Sequence, residues 1–176
     1  MGFSFKIRPG AAADIEAVSR AYAQAWRETY APFAPPIFTQ GMSEAAASRI
    51  FHESLAPNAF SYFLFVAEVE GRIVGFADGG RERSRPDSGE GELYALYLLK
   101  EFHGRGIGRE LFKAALSQLG RSGLGSAVAW VLERNPTRRF YEKAQGALGP
   151  DQKRLVLGGE TVNLVSYRWA LRPVDF

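Results

Sequence analysis

Blocks of apolar residues, separated by short polar or Pro/Gly-rich stretches, predict strands and helices along the chain. Alternation over 3–10 predicts a first strand that stops at a Pro-Gly pair. From Asp14 to about Tyr30, apolar side chains recur at helical spacing, and Asp14 suits the start of that helix. Three prolines in "APFAPPIF" end it, and a second helix is expected from Ser43 to about Leu55.

The middle of the chain predicts a hairpin followed by a buried strand. The runs "YFLFVAEVE" and "RIVGFADGG" are joined at Glu70-Gly71, which favours a tight turn. The next run, "GELYALYLL", is nearly continuously apolar, as expected for a strand buried on both faces. Three glycines follow, and then a helix whose apolar stripe comprises Ile107, Leu111, Phe112, Leu116 and Leu119.

The last third of the chain predicts a strand, a short helix and a final hairpin. The strand is "SAVAWVLE", the helix is "NPTRRFYEKAQGA" with Pro136 near its first turn, and the hairpin turns at Gly158-Gly159. Strands and helices in this order imply an α/β fold, with a mixed sheet that carries helices on its faces.

Composition limits the class of protein. The 176 residues, 46% of them hydrophobic, suit a single domain with one site. No apolar run approaches the ~18 residues of a membrane span, and the first ten residues lack the apolar stretch of a signal peptide. A soluble cytoplasmic protein without a membrane partner is therefore expected.

Charge and residue usage exclude several kinds of site. The chain has no cysteine, which removes disulfides, thiolate metal sites and a cysteine acyl-enzyme. Only His52 and His103 supply imidazoles, so no metal centre is expected. The net charge is +3, and acidic and basic residues are interspersed along most of the chain. The charged stretch "RERSRPDSGE" has no interleaved aromatic residues, so no nucleic-acid partner is predicted.

The glycines at 104, 106 and 108 stand between a strand and a helix, where free backbone N–H groups and the positive end of a helix dipole favour phosphate. A Walker loop does not fit, because Gly108 is followed by Arg109-Glu110. A dinucleotide fingerprint starting at Gly104 would need a third glycine at 109, which is arginine. A purely structural turn is the alternative.

Two segments resemble the GCN5-related N-acetyltransferase (GNAT) family. The stretch "ELYALYLLKEFHGRGIGRELFKAAL" resembles its acetyl-coenzyme A loop, Gln/Arg-x-x-Gly-x-Gly/Ala, with His103 in the first position. The stretch "WVLERNPTRRFYEKAQGAL" is similar to the family's following strand and helix, and "AWRETYAPF" to a segment of a bacterial subgroup. The resemblance implies one GNAT domain over 1–176, with a central mixed, mostly antiparallel sheet flanked by helices.

The resemblance implies acetyl-coenzyme A as co-substrate and places its contacts. The pyrophosphate is expected on the loop formed by His103, Gly104, Arg105, Gly106, Ile107 and Gly108, where backbone N–H groups would be joined by the Arg105 side chain. Main-chain groups of Leu96 and Leu98 would receive the pantetheine arm, and Asn135 would bond its amides. The alternatives are that His103 and Arg105 are solvated loop residues and that Asn135 caps a helix.

The resemblance also implies a catalytic acid, Tyr141, facing the cofactor sulfur. A phenol can protonate a thiolate of similar basicity, and the alternative is a core tyrosine bonded to backbone. Glu92 is the candidate base, because strict alternation puts Glu92, Tyr94, Leu96 and Leu98 on one face. Glu92 could instead be a surface acid at a strand end.

Trp26, Tyr30 and Phe33 are predicted to form an aromatic wall for the acceptor amine, although Trp26 could simply pack its helix on the sheet. The predicted reaction is direct attack by a primary amine, most readily that of a small molecule, in a ternary complex. Three alternatives stay open: a non-catalytic acyl-coenzyme A sensor, transfer of a larger acyl group, and protein amines as acceptors. Asp78 could attract a cationic amine, and the final hairpin could pair in a homodimer.

Overall fold

The computed structural model describes residues 3–56, 62–157 and 159–171. Its seven strands are β1 (Lys6–Pro9), β2 (Phe63–Val69), β3 (Arg72–Arg81), β4 (Glu90–Leu98), β5 (Ser126–Leu132), β6 (Ala147–Leu157) and β7 (Glu160–Ala170). Its five helices are α1 (Ile15–Tyr30), α2 (Pro36–Thr39), α3 (Glu44–Ser54), α4 (Ile107–Arg121) and α5 (Arg138–Lys143).

The strands form one sheet in the order β1-β2-β3-β4-β5-β7-β6. Strands β4 and β5 pair in parallel, and every other neighbouring pair in that order is antiparallel. The predicted mixed, mostly antiparallel sheet with flanking helices is confirmed. Its one parallel pair is linked through α4, as a crossover between parallel strands requires.

Helices cover the sheet on both faces because strand side chains alternate between them. On one face, α1 and α3 bury Val18, Tyr22 and Phe51 against Val66 and Phe76 of the sheet. The opposite face meets α4 through a larger cluster that includes its buried residues Ile107, Leu111, Phe112, Ala115 and Leu119. The predicted stripe of α4 is therefore its sheet-facing side, with Leu116 partly buried beside it.

Strands β4 and β5 separate part-way along their length. They pair only from Glu90–Leu93 to Ser126–Ala129, while β4 continues to Leu98 and β5 to Leu132. The second half of β4 is only half-buried, so the prediction of a strand buried on both faces is wrong for that half. The fork between the two strands opens the site described below.

A β-bulge lies at Tyr94, where β4 begins to leave β5. In the ladder with β3, Leu93 pairs with Gly79 and Ala95 with Asp78, so Tyr94 has no partner. One extra residue reverses the faces beyond it. Leu93 and Leu96 both pack in the α4 cluster, and the predicted common face for Glu92, Tyr94, Leu96 and Leu98 is wrong.

Most predicted boundaries agree with the structure to within a few residues. Ser43 caps α3 by accepting a hydrogen bond from the Ala46 amide, and Glu70-Gly71 forms the β2–β3 turn. The proline-rich segment after α1 contains the short helix α2, which was not predicted. The last hairpin closes with Leu157 opposite Glu160, and Gly158 of its predicted turn lies outside the described residues.

Candidate active site

A cleft of about 750 Å³ opens where β4 and β5 separate. Its floor and walls come from the second half of β4, the glycine loop, the end of β5 and helix α5. The principal lining residues are Tyr30, Tyr94, Leu96, Leu98, His103, Gly104, Arg105, Gly106, Gly108, Trp130, Asn135 and Tyr141. Residues predicted from three separate segments of the chain therefore meet in one cavity.

The glycine loop has a backbone conformation that explains two of its glycines. Gly104 and Gly106 have φ angles of +75° and +86°, which side-chain-bearing residues rarely adopt. Gly106 is the residue that precedes α4, so the loop ends at the helix N-terminus. No atom would lie within 4 Å of a Cβ at either position, which leaves the loop surface open to an anion.

Gly108 and Ile107 have different environments from the first two glycines. Both belong to α4, and a Cβ at Gly108 would make an ordinary contact, 3.7 Å from Phe140 Cε2. The Ile107 side chain is fully buried in the core. Only their backbone groups are therefore placed to contribute to the loop.

His103 contacts the β4 backbone. Its Nε2–H donates to the Leu98 carbonyl oxygen at 2.9 Å. The Leu99 amide donates to the Val74 carbonyl of β3, so the Leu98 carbonyl of the same peptide group points away from β3. Alternate residues of a strand direct their backbone groups to the same side, which places those of Leu96 on the cleft side as well. Leu96 and Leu98 both line the cavity.

Arg105 and Asn135 line the cleft with their side chains partly engaged. The Arg105 guanidinium lies over the Phe3 ring at 4.6 Å. Asn135 is buried, and its Oδ1 accepts hydrogen bonds from the amide and the hydroxyl of Thr137, which is itself the N-cap residue of α5. Asn135 thus holds the turn before the helix and does not cap the helix directly. Among the described residues its Nδ2 makes no hydrogen bond, so this amide can also donate in the cleft.

Tyr141 lines the cleft from α5 among other aromatic rings. The centre of its ring lies 5.8 Å from that of Tyr167, with the two rings stacked, and 6.2 Å from the centre of the Phe112 ring. Removal from water, with a smaller effect from Tyr30, raises the pKa of its hydroxyl above the ordinary range. The hydroxyl is therefore protonated at neutral pH.

Of the three aromatic residues predicted for the acceptor, only Tyr30 lines the cleft. Its hydroxyl lies 3.0 Å from that of Tyr97 on β4. Trp26 packs against Tyr30 and donates its Nε1–H to the Phe38 carbonyl, and Phe33 contacts the edge of Tyr30. Trp26 and Phe33 thus pack against Tyr30 without lining the cleft themselves.

Glu92 is almost fully buried and does not line the cleft. Its carboxylate accepts hydrogen bonds from the amide, Nε and Nη2 of Arg83. The Arg83 guanidinium in turn lies 4.4 Å from the centre of the Tyr94 ring. The role of Glu92 as a base stays a prediction. The ion pair with Arg83 already occupies its carboxylate.

The sequence model of the acetyltransferase (GNAT) family matches residues 23–147. That range includes all of the cleft-lining residues, from Thr29 to Lys143. The chain belongs to the GNAT family. The uncharacterized N-acetyltransferase YuaI of Bacillus subtilis is 29% identical over 136 residues, 77% of this chain and 76% of YuaI.

Solved structures share the GNAT fold across nearly the whole chain. YncA of Salmonella typhimurium, solved with acetyl-CoA, is 20% identical with a TM-score of 0.72 and covers 98% of this chain and 96% of its own. The PaiA N-acetyltransferase of Thermoplasma acidophilum, solved with coenzyme A, is 18% identical with a TM-score of 0.69, covering 94% and 99%.

This GNAT chain also places in the cleft two residues that the sequence analysis did not select. Tyr94 and Trp130 are the first residues beyond the last β4–β5 pair, one on each strand, and both line the cavity. Trp130 Nε1 is buried and makes no hydrogen bond within the described residues. Its one signal in the sequence is a large aromatic among small apolar residues, just before the Asn-Pro motif.

Asp78 is buried and does not line the cleft. In the described part of the chain, no helix is long and apolar enough to cross a membrane. Over the same residues, no group of three His, Asp or Glu side chains is arranged to hold a metal ion.

Proposed function

We propose that the chain is an acetyl-coenzyme A-dependent N-acetyltransferase that acetylates a primary amine of a small molecule in a ternary complex. The observation that carries the proposal is the open fork, in which unpaired backbone of β4 leads to the left-handed glycine loop at the start of α4. We propose that residues 1–176 work as one domain.

The residues of the cleft fit the proposed co-substrate. The loop from His103 to Gly108 would hold its pyrophosphate through backbone N–H groups and the helix dipole. Backbone groups of Leu96 and Leu98 would pair with the extended pantetheine, as a neighbouring strand would. Asn135 would donate its free Nδ2–H to the same arm.

Acetyl-coenzyme A supplies an activated acetyl thioester. A neutral amine attacks the carbonyl carbon, the C–N bond forms, the C–S bond breaks and the coenzyme A thiolate leaves. We propose that the Tyr141 hydroxyl gives its proton to that thiolate, because it lines the cleft protonated and unbonded within the described residues. The amine proton passes to solvent, and the Tyr141 phenolate takes a proton back from solvent, so the products are the amide and the free thiol and Tyr141 is restored.

Tyr141→Phe tests this assignment by removing the hydroxyl and leaving the ring packing intact. We expect kcat to fall about 100-fold, as loss of a general acid does, with acetyl-coenzyme A affinity within about threefold. The measurements are calorimetric titration and thiol release with a panel of primary amines. Tyr167→Phe is the matched control, because that hydroxyl bonds Glu142 and Arg138 outside the cleft, and its kcat should be unchanged.

Three results would contradict parts of the proposal. Full turnover by Tyr141→Phe at every pH removes the acid. Binding of acetyl-coenzyme A without turnover of any amine favours the sensor function, and faster reaction with propionyl- or succinyl-coenzyme A favours a larger acyl group. ATP serves as the control for binding, since it has phosphates but no pantetheine.

A further inference from the structure

Two tyrosine hydroxyls lie against each other in the wall of the cleft. Tyr30, at the end of α1, and Tyr97, on β4, both line the cavity, and their hydroxyl oxygens lie 3.0 Å apart. We call these two groups the hydroxyl pair. Tyr97 stands between Leu96 and Leu98, whose backbone groups are proposed to meet the pantetheine arm. The hydroxyl pair is therefore beside the proposed path of the co-substrate.

The hydroxyl pair has one hydrogen more than its own hydrogen bond uses. Each phenol carries a single O–H, and one O–H···O bond joins the two oxygens. Whichever oxygen accepts that bond, the hydrogen of the accepting hydroxyl has no acceptor among the described residues. Such a hydrogen is satisfied only by water or by a ligand in the cleft.

Both hydroxyls keep their protons at neutral pH. Burial raises the pKa of Tyr30, and the hydrogen bond with Tyr97 offsets part of that rise. Burial also raises the pKa of Tyr97, well above its ordinary range. The hydroxyl pair is therefore available near neutrality as a hydrogen-bond donor.

The hydroxyl pair lies near the proposed acid, Tyr141. Burial is the main cause of the raised pKa of Tyr141, and Tyr30 is the second. Burial likewise dominates at Tyr97, with Tyr141 among the further causes. Electrostatic effects of this kind weaken with distance, so the three hydroxyls share one part of the cleft. The sulfur and the oxygen of a thioester are bonded to the same carbon, so a donor near the group that protonates the sulfur is also near the carbonyl oxygen.

The proposed reaction needs a donor at that oxygen. As the amine attacks the carbonyl carbon, an electron pair of the C=O bond moves onto oxygen, and negative charge develops there. The attacking amine has the opposite requirement, because an O–H donated to its nitrogen would occupy the lone pair that must attack. The spare hydrogen of the hydroxyl pair thus suits the carbonyl oxygen and not the amine.

We infer that the hydroxyl pair donates its spare O–H to the carbonyl oxygen of the acetyl thioester. No proton is transferred in this contact. The hydrogen bond strengthens while charge develops on oxygen and weakens again when the C–S bond breaks and the C=O bond re-forms in the amide. The second hydroxyl is a positioning residue, because by donating to the first it orients that group and makes it a stronger donor. This inference rests on the proposed function, since its ligand is acetyl-coenzyme A.

Carbon-13 NMR of bound acetyl-coenzyme A, labelled at the carbonyl carbon, detects this hydrogen bond without turnover. The carbonyl carbon resonates further downfield when its oxygen accepts a stronger hydrogen bond. We expect a downfield shift on binding to wild type that is smaller in both Tyr30→Phe and Tyr97→Phe. The double variant should match the more affected single variant, because one chain of hydrogen bonds is broken in each.

The control variant is Tyr22→Phe, which removes a hydroxyl from the same aromatic cluster. The centre of the Tyr22 ring lies 4.8 Å from that of Tyr97, but Tyr22 does not line the cleft. This variant should keep the wild-type resonance and a kcat within about twofold of wild type. An equal loss of the shift in Tyr22→Phe would assign the effect to ring packing and overturn the inference.

Turnover gives a second measure, with the primary amine that the wild type acetylates fastest. The more affected of Tyr30→Phe and Tyr97→Phe should lose about 100-fold in kcat, as loss of an oxyanion donor does. The KM for the amine and the affinity for acetyl-coenzyme A should stay within about threefold, because the contact strengthens only as charge develops.

Binding and turnover together separate this inference from the proposed function. A resonance shift that depends on the hydroxyl pair, without acetyl transfer to any amine, supports the hydrogen bond and overturns the transferase. Transfer with the same resonance in wild type and both single variants overturns the hydrogen bond alone. A raised amine KM at an unchanged resonance does so too, because it places the hydroxyl pair against the acceptor. No binding of acetyl-coenzyme A to wild type overturns both.

Discussion

Asp78 and Glu92 are buried carboxylates on neighbouring strands, and they have different hydrogen-bond partners. Glu92 receives three donor groups of Arg83, whereas Asp78 accepts from the Tyr62 hydroxyl at 2.9 Å, and its Oδ1 accepts no hydrogen bond within the described residues. Desolvation raises the pKa of Asp78 to about 7, although Tyr62 and Arg83 oppose the shift. Near neutrality Asp78 is therefore partly protonated.

This shift predicts how stability depends on pH. The pKa of Asp78 is higher in the folded than in the unfolded chain. The stability that protonated Asp78 gives the folded chain is therefore fully present below about pH 4 and is lost as pH rises through about 7. Asp78→Asn cannot ionise. Relative to wild type, its free energy of unfolding should rise by up to about 4 kcal/mol between pH 4 and pH 8.

Urea unfolding of both proteins at intervals across that range measures the difference. Tyr22, Tyr62, Tyr94 and Arg83 surround Asp78, and their ordinary pKa values lie above the range, so none adds a slope of its own. Asp87→Asn, at an exposed position, should follow wild type throughout. Parallel profiles for Asp78→Asn and wild type would show that Asp78 ionises normally.

At the scale of the element, a comparison of two glycines distinguishes the effect of backbone strain from the effect of losing a ligand contact. Gly106 and Gly71 both have strongly positive φ, +86° and +79°, with no atom within 4 Å of a Cβ. Alanine at either position should cost about 1–2 kcal/mol of stability. Only Gly106→Ala should also weaken acetyl-coenzyme A, by at least tenfold, because only Gly106 lines the cleft.

Calorimetric titration of the two variants, with urea unfolding in parallel, makes this comparison. Gly71 lies in the β2–β3 turn, away from the cleft, and matches Gly106 in backbone geometry. If both variants lose the same affinity, the loop acts only through overall stability. If neither loses affinity, the pyrophosphate lies elsewhere.

Local pattern explains which elements the sequence predicts well. Helix α4 and the Glu70-Gly71 turn depend on residues close together in the chain, so periodicity and turn chemistry predict them. The bulge at Tyr94 and the pairing limit at Leu93 depend on how β4 meets two neighbouring strands. Strict alternation therefore put Glu92 on the same face as Leu96 and Leu98, which the bulge prevents. Motif spacing did not predict the contacts of Trp130 or of the hydroxyl pair.

At the scale of the whole molecule, the sheet consists of two parts joined by the short β4–β5 ladder. An ion pair crosses that junction: Glu90 at the start of β4 accepts from Arg168 Nε of β7 at 2.8 Å and from Arg85 at 3.1 Å. Arg168 also pairs with Asp151 of β6 at 2.8 Å. The buried Glu90 carboxylate and the partly buried Arg168 therefore link both parts at the start of the β4–β5 ladder.

Removing one partner of this pair should destabilise the whole sheet. Arg168→Ala leaves Glu90 buried beside Arg85 alone, and we expect a loss of about 3 kcal/mol in urea unfolding at pH 7. The double variant Glu90→Gln/Arg168→Met should lose less, since no buried charge is left unpaired there and the remaining partners, Arg85 and Asp151, are exposed to water. Arg20→Ala breaks an exposed pair with Glu16 on α1 and should change stability by less than about 0.5 kcal/mol. Equal losses for Arg168→Ala and Arg20→Ala would mean that the β4–β5 ladder and the core hold the two parts together without the ion pair.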